Sequence, residues 1–409
     1  MNKMKKVPKI RFEEFAEDWE NTDASIIFKT YFDKNHPDLP VLSASQEYGM
    51  IIREDVGFKV QHNKENEAGY KRVLPGQFVI HLRSFQGGFA HSDVEGITSP
   101  AYTIIEFRDK SQQDDIFWKY VLTSKEFIKR LETVTYGIRD GRSISFEDFS
   151  ELGFNVPDIK EQRKIGKTLT VIDTLIRKLE QKLEKLRNIK QSLLNQMFVN
   201  VNRGGYAPLI RFNGYNNKWI MLTLNDISER ITRKNTNNES SLPLTVSAQY
   251  GLINQNDFFD SRIASKDVSG YYLIKNGEFA YNKSSSDGYP FGAVKRLDRY
   301  KMGVLSTLYI IFALNKDKID SDFLSIFFET DKWYEHISQR AAEGARNHGL
   351  LNISSEDFLD LKILTPKSKN EQNLIAGYVS ALDRLVEGTS SKLTKLRTMK
   401  QSLLQKMFV

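Results

Sequence analysis

One stretch of this chain occurs twice. Residues 182–199 read KLEKLRNIKQSLLNQMFV and residues 392–409 read KLTKLRTMKQSLLQKMFV. Thirteen of the 18 aligned positions are identical, at an offset of 210 in a chain of 409 residues. Similarity at half the chain length marks a tandem duplication, so whatever one half folds into must be built twice. Weaker matches with drifting offset run through the rest. Pro8-Lys9-Ile10-Arg11-Phe12 and Trp19 meet Pro208-Leu209-Ile210-Arg211-Phe212 and Trp219. Tyr48-Gly49 meets Tyr250-Gly251, and Gly69-Tyr70, Gly76 and Phe78 meet Gly270-Tyr271, Gly277 and Phe279. Ile144-Ser145 and Glu147-Asp148-Phe149 meet Ile353-Ser354 and Glu356-Asp357-Phe358, and Glu161-Gln162 meets Glu371-Gln372.

The near-invariant segments read as long helices. Apolar residues fall at Ile165, Leu169, Ile172, Ile176, Leu179, Leu183, Leu186, Leu193 and Met197, in alternating steps of four and three. The second copy repeats the register with Ile375, Val379, Leu382, Val386, Thr389, Leu393, Leu396, Leu403 and Met407. Lys190 and Lys400 stand at matching places where an apolar residue is due. A period of 3.5 kept this long predicts a coiled-coil seam, and the natural partner of each helix is the other. Two like helices in one chain pair most simply about a local two-fold axis, which makes them antiparallel. About 38 residues at roughly 1.5 Å each give a rod of about 57 Å.

Between the helices, strand-like runs such as Phe78-Val79-Ile80, Tyr102–Ile105 and Leu308–Phe312 sit among Gly, Asn and Asp turn signals. Helical stretches follow over 115–131 and 321–340. The expected class is α+β, with two similar mixed α/β domains separated by two long antiparallel coiled-coil helices and an internal pseudo-two-fold. The boundaries read as a first domain over 1–158, a central helix over 159–200, a second domain over 201–366 and a C-terminal helix over 367–409.

Several chemistries have no residues to carry them. The chain lacks cysteine, which removes disulfides, thiolate zinc sites and thiol nucleophiles together. No phosphate-binding G-x-x-x-x-G-K-[ST], no G-x-G-x-x-G after a strand and no Asn-Pro-Pro-aromatic methyltransferase signature occurs. The histidines include no pair at i, i+4. Pro157-Asp158 with Glu180 and Lys182 outlines a metal-dependent nuclease motif, but Glu180 and Lys182 lie beside seam positions of a helix, and the second copy has no carboxylate there. No secretory h-region follows the N-terminal lysines and no run of about 18 apolar residues occurs, which predicts a soluble cytoplasmic protein without a membrane partner.

Binding is better supplied. The formal net charge is only +7, so basic residues matter where they cluster. Arg83-Ser84-Phe85-Gln86 follows a strand in the first half, and Lys283-Ser284-Ser285-Ser286 follows its counterpart. Arg139-Asp140-Gly141-Arg142 has the counterpart Arg346-Asn347-His348-Gly349. Arg, Lys, Gln, Asn and Ser are side chains that hold phosphates and read base edges. The candidate DNA contacts are therefore Arg83, Ser84, Gln86, Arg139, Arg142, Lys283, Ser284, Ser285, Arg346, Asn347 and His348. Two related units on a rigid spacer match a duplex, one face of which recurs about every 34–36 Å. Units that differ in their loops predict a bipartite, asymmetric target with an unread spacer. A coiled-coil scaffold that binds only proteins is the alternative.

Two variable domains, each followed by P-x(3,4)-E-Q-x-x-I and a repeated K-L-x-K-L-R-x-x-K-Q-S-L-L helix, resemble the specificity subunit of a type I restriction-modification enzyme. The resemblance covers the whole chain. It implies a noncatalytic DNA-binding subunit in which each target recognition domain reads one half of a split site. It also implies that the helices form an antiparallel spacer and dock two modification subunits, with restriction subunits joining them. S-adenosylmethionine, ATP and magnesium then belong to those partners, and this chain carries no cofactor or metal. Pro157, Glu161, Gln162 and Ile165, with Pro366, Glu371, Gln372 and Ile375, match the family's helix-start segments and are expected to be structural. Leu179, Leu183, Leu186 and Leu193, with Leu393, Leu396 and Leu403, are expected to form the spacer and subunit-docking helices. Arg139 and Arg346 match the loop before the last strands of the recognition domain.

Overall fold

The fold was analysed in a computed structural model, which describes residues 7–45, 48–56, 64–81, 88–134, 144–199, 205–258, 265, 267–341 and 351–408. The chain divides into two compact units, residues 1–181 with 390–409 and residues 182–389. Each unit thus takes the start of one long helix and the end of the other. The helices are Ile159–Met197 and Lys369–Met407, 39 residues each, or about 58 Å at 1.5 Å per residue.

The duplication is complete at the level of topology. In the first unit a four-stranded antiparallel sheet runs in the order Phe28–Tyr31, Thr103–Phe107, Phe78–Ile80, Phe89–His91. In the second the order is Ser228–Ile231, Ile310–Leu314, Phe279–Asn282, Ala293–Arg296. Each unit adds the same three strand pairs. These are Glu20–Asp23 with Gly153–Val156, Leu42–Ser45 with Gly49–Ile52, and Lys71–Val73 with Gly96–Thr98 in the first. Their counterparts are Ile220–Thr223 with Lys362–Thr365, Leu244–Ser247 with Gly251–Asn254, and Tyr272–Lys275 with Met302–Leu305. The molecule is mixed α/β, with two sheet-containing domains and two long helices.

Some boundaries move. The strand expected at Leu308–Phe312 is Ile310–Leu314, because Ser306 Oγ accepts the Leu308 amide and makes a turn that leaves Leu308 exposed. The helical stretch 115–131 is two helices, Asp115–Leu122 and Lys125–Val134. The break lies where Thr123 Oγ1 donates back to the Lys119 carbonyl and Ser124 Oγ accepts the Phe127 amide, so both hydroxyls cap ends rather than continue a helix. Likewise 321–340 divides into Ser321–Phe327 and Tyr334–Ala341.

Aromatic rings fill both cores. Phe28 touches Phe78, Phe107, Trp118 and Phe149 at centroid distances of 5.0–6.1 Å. In the second unit Phe279 stacks on Phe312 and Tyr281 on Phe358. Ile165 and Leu169 share the first core with Met407, against which Leu403, Leu404 and Phe408 also pack. Ile375 and Val379 share the second core with Leu194, Met197 and Phe198. Within the first unit Asp173 pairs with Lys400 and Glu180 with Arg397, so partner numbers fall as residue numbers rise. The two helix segments are therefore antiparallel. Within the second unit Lys190 pairs with Asp383.

Those pairs explain the seam breaks. Lys190 and Lys400 are 210 apart, and so are Asp173 and Asp383. A parallel, in-register pair would set lysine against lysine and aspartate against aspartate. The antiparallel arrangement matches each lysine with an aspartate, so the interruption of the apolar seam selects orientation at some cost in burial. In the first unit Tyr120 completes the cluster, its Oη donating to Asp173 at 2.7 Å, while the equivalent place in the second unit holds Ile326. Leu183 and Leu393 are equally buried, at 7% exposure each.

Candidate nucleic-acid interface

Each globular domain is mounted on its long helix by the same three side chains. Glu161, with no exposed surface, accepts from Arg11 Nε and Nη2 at 2.8 and 2.7 Å, and from the Trp19 indole N–H at 3.2 Å. Glu371 accepts from Arg211 at 2.6 and 2.9 Å and from Trp219 at 3.4 Å. The paired carboxylate holds the Arg11 guanidinium above its ordinary range despite burial. Gln162 and Gln372 do the second part of the job. Gln162 donates to the Pro157 carbonyl and accepts the amide of Asp114, which caps helix Asp115–Leu122. Gln372 makes the same pair of bonds to Pro366 and Asp320. The helix-start residues thus lock the helix to the domain. Asp158 caps that helix and Glu180 pairs with Arg397, which accounts for both carboxylates of the nuclease-like outline.

On this frame the candidate segments come together at their flanks. Arg83, Ser84, Gln86, Arg139, Arg142, Arg346, Asn347 and His348 lie outside the described residues; Lys283, Ser284 and Ser285 lie within them. In the first unit the His81 amide donates to the Gly88 carbonyl at 2.8 Å, which closes the neck of segment 82–87. A β-carbon at Gly88 would stand 3.1 Å from Cδ1 of Ile144, the residue that follows segment 135–143. Gly88 has φ +64°, a conformation that only glycine adopts freely. In the second unit the Leu351 amide donates to the Lys283 carbonyl at 3.0 Å, and Lys283 Nζ reaches the Ile353 carbonyl at 3.4 Å. The segment after strand Phe78–Ile80, or Phe279–Asn282 in the second unit, and the segment that leads into the short helix Phe146–Ser150, or Ser355–Leu359, therefore have flanks that meet in both units. Ser284 and Ser285 are exposed there, the Ser284 amide bonded to Asn282 Oδ1. Lys283 is half-buried, its ammonium turned to the backbone rather than to solvent.

The strand leaving the first of these segments carries a buried charge site that sequence reading missed. His91 is 3% exposed, with Nε2 2.8 Å from Asp115 and Nδ1 3.3 Å from Asp93. Arg296 takes the matching position in the second unit and pairs with Asp298 and Asp322. The shared signal is a cation two residues before an aspartate, legible only once the strands are aligned. Burial opposes protonation of His91, but the hydrogen bond to Asp115 and the nearby charges of Asp93 and Asp115 outweigh it and hold the imidazole above its ordinary range. The imidazolium beside it lowers Asp93 to about 2, and the hydrogen bond from His91 lowers Asp115 as well. Among the described residues the facing strands contribute Phe78 and the Gly49 backbone, while helix Asp115–Leu122 adds Lys119 beside Asp93.

The pH dependence follows. A raised histidine stabilises fully below its unfolded value of about 6.5, and that contribution is lost as pH rises through the folded value. The depressed carboxylates stabilise above about 3.9 and lose their contribution as pH falls through their folded values. The tie is therefore strongest between about pH 4 and 6.5. Comparing thermal unfolding of the wild-type chain with His91→Gln, the difference should be largest near pH 5 and shrink toward pH 9. A difference independent of pH would remove His91 from this role.

Residues 10–188 match the family model described as type I restriction modification DNA specificity domain. Among solved structures, a type I restriction-modification system S subunit from M. genitalium is 15% identical, with a TM-score of 0.58 over 98% of this chain and 99% of that one. The HsdS subunit from Thermoanaerobacter tengcongensis is 14% identical over 95% and 96% of the two chains, with a TM-score of 0.48. A structure concerned with complex assembly and conformational transition of the type I R-M system is 12% identical over 95% and 97%, with a TM-score of 0.50. The likeness to the M. genitalium protein is one of fold, along nearly all of both chains.

Proposed function

We propose that this chain, of which residues 10–188 match the family model for the type I restriction modification DNA specificity domain, is the noncatalytic subunit that gives such a complex its DNA sequence specificity. Each recognition domain, 1–158 and 201–366, reads one half of a bipartite asymmetric site in double-stranded DNA. The helices, 159–200 and 367–409, set the unread spacer and dock two modification subunits. Restriction subunits join that assembly. S-adenosylmethionine, ATP and magnesium act on those partners.

What carries the reading is a repeated geometry with unlike contents. Two copies of one fold bring described flanks of the same two segments together, and the segments differ in sequence between the copies: Arg83–Gln86 against Lys283–Ser286, and Arg139–Arg142 against Arg346–Gly349. Equal scaffolds with unequal loops suit a target whose halves share a backbone and differ in bases. Docking is supported by exposed apolar residues at equivalent helix positions. Leu175 and Leu385 are 47% and 53% exposed, and Ile189 and Met399 are 38% and 47% exposed.

Exchanging residues 1–158 for those of another family member tests the reading. Leu403, Met407 and Phe408 must be kept, because they pack into the first core. Sequencing of methylated adenines in a host carrying the exchanged gene should show one half of the motif changed and the other intact. A change in both halves, or in neither, would refute modular reading.

A further inference from the structure

Two lysines of the first unit share one exposed ring. Lys34 Nζ stands 5.1 Å from the centroid of Phe32 and Lys71 Nζ 5.8 Å from it, both within reach of cation–π attraction. Phe32 itself is 70% exposed. Lys71 also donates to the Tyr102 carbonyl at 2.6 Å, which fixes the ammonium and leaves two of its three hydrogens for another acceptor. Asp33, next to Lys34 in sequence, is taken by His36 and Arg72. Among the described residues neither lysine forms an ion pair. Burial pushes the Lys71 ammonium down, and the charge of Lys34 pushes it the same way. Two like charges set side by side are a cost to the unit by itself, and an anion lying between them offsets it.

The sheet places this doublet beside the first candidate segment. Tyr31 pairs with Ile104, and Ile80 with Thr103 and Phe89. Phe32, Tyr102, His81 and Gly88, each one residue beyond those pairs, therefore stand at one end of the sheet. At that end the His81 amide closes the neck of segment 82–87, and the Tyr102 and His81 rings lie 6.2 Å apart. The second unit is built differently here. Lys234 keeps the place of Lys34, but Thr232 stands for Phe32 and Tyr272 for Lys71. One ammonium, that of Lys234, lies 4.3 Å from the Tyr272 ring.

We propose that Lys34 and Lys71 together hold one backbone phosphate of the DNA beside the half-site of the first domain, and this rests on the DNA-specificity reading above. The doublet offers charge without a shape that fits one base, and phosphate is what every duplex presents. Its place at the neck of a candidate reading segment favours a phosphate over the carboxylates of a protein. The Phe32 ring keeps two long side chains together, so less freedom is lost when the anion arrives.

The test uses the full chain assembled with its modification subunits, a labelled duplex carrying the methylated motif and a scrambled duplex of equal length. The combined Lys34→Gln and Lys71→Gln variant removes both charges and keeps polar side chains of similar reach. It should weaken binding to both duplexes by the same factor, about eightfold at about 0.1 M salt. The slope of log affinity against log salt should become shallower by about 0.9, the share of one phosphate. Phe32→Ala should weaken binding about twofold to fivefold with the slope unchanged, because both charges remain. Methylphosphonates then replace single phosphates through and beside the half-site that the exchange of residues 1–158 assigns to the first domain. At one position the neutral linkage should weaken the wild type about eightfold and the combined variant not at all. Equal losses in both proteins at every position overturn the proposal, and so does an unchanged affinity and slope in the combined variant. Loss of complex assembly in place of DNA affinity assigns the doublet to a protein partner and overturns it as well. Failure of the wild-type complex to bind duplex DNA even at low salt overturns the DNA reading itself and this proposal with it.

Discussion

Glu161→Ala is expected to destabilise the first unit by about 3–5 kcal/mol, the usual cost of stranding one member of a buried ion pair. The carboxylate has no exposed surface and serves three donors, two on Arg11 and one on Trp19. Its removal leaves a guanidinium with 11% side-chain exposure and a buried indole N–H without an acceptor. Glu371→Ala should do the same in the second unit. Since the molecule has two units, hydrogen-exchange protection in each is a better readout than a single melting curve. Protection of strands Glu20–Asp23 and Gly153–Val156 should fall in Glu161→Ala, while that of Ile220–Thr223 and Lys362–Thr365 should hold. The combined Arg11→Met and Glu161→Met substitution should recover most of the loss, because no buried charge is left unpaired. A cost below about 1 kcal/mol for Glu161→Ala, the range of exposed pairs, would show that the triad does not bear the domain.

Gly49→Ala and Gly251→Ala should differ sharply although each glycine opens the second strand of the same hairpin. Both positions have positive φ, so alanine costs about 1–3 kcal/mol at either from backbone strain. At Gly251 nothing lies within 4 Å of the added β-carbon, and strain is the whole effect. At Gly49 the β-carbon would stand 2.2 Å from the His91 carbonyl oxygen. Backbone cannot rotate away as a side chain can, so the hairpin must lift from the strand, at an added cost of about 1–3 kcal/mol. The movement also disturbs His91 and its two aspartates, so Gly49→Ala should reduce the pH dependence assigned to that histidine. Chemical denaturation of both variants checks the order. Equal losses would mean that the hairpin gives way freely.

Much of this architecture is legible in the residues. The duplication, the two helices and their register follow from identity at an offset of 210 and a period of 3.5. Glu161-Gln162 and Glu371-Gln372 stand out as paired, and so do Arg11 and Arg211. That these belong to one triad does not, because Arg11 and Glu161 lie 150 residues apart in sequence. Lys190 and Lys400 read as defects in the seam. Their purpose needed the antiparallel partner, which brings Asp383 and Asp173 to them. The candidate segments were found as loops with suitable side chains, and only the fold showed that their flanks meet in both units.

The sequence by itself determined the repeat and the fold class, because composition, period and identity are properties of the chain read locally. Only the tertiary structure decided which residues stand together: Glu161 under Arg11 and Trp19, Lys283 against Leu351 and Ile353, and His91 between Asp93 and Asp115. Such groupings join residues from distant strands and helices. Their energies depend on burial and on angles that no local pattern encodes. For the helix-mounting triad the duplication supplied the means of recognising it, because Arg11, Trp19 and Glu161 recur as Arg211, Trp219 and Glu371 with the same bonds.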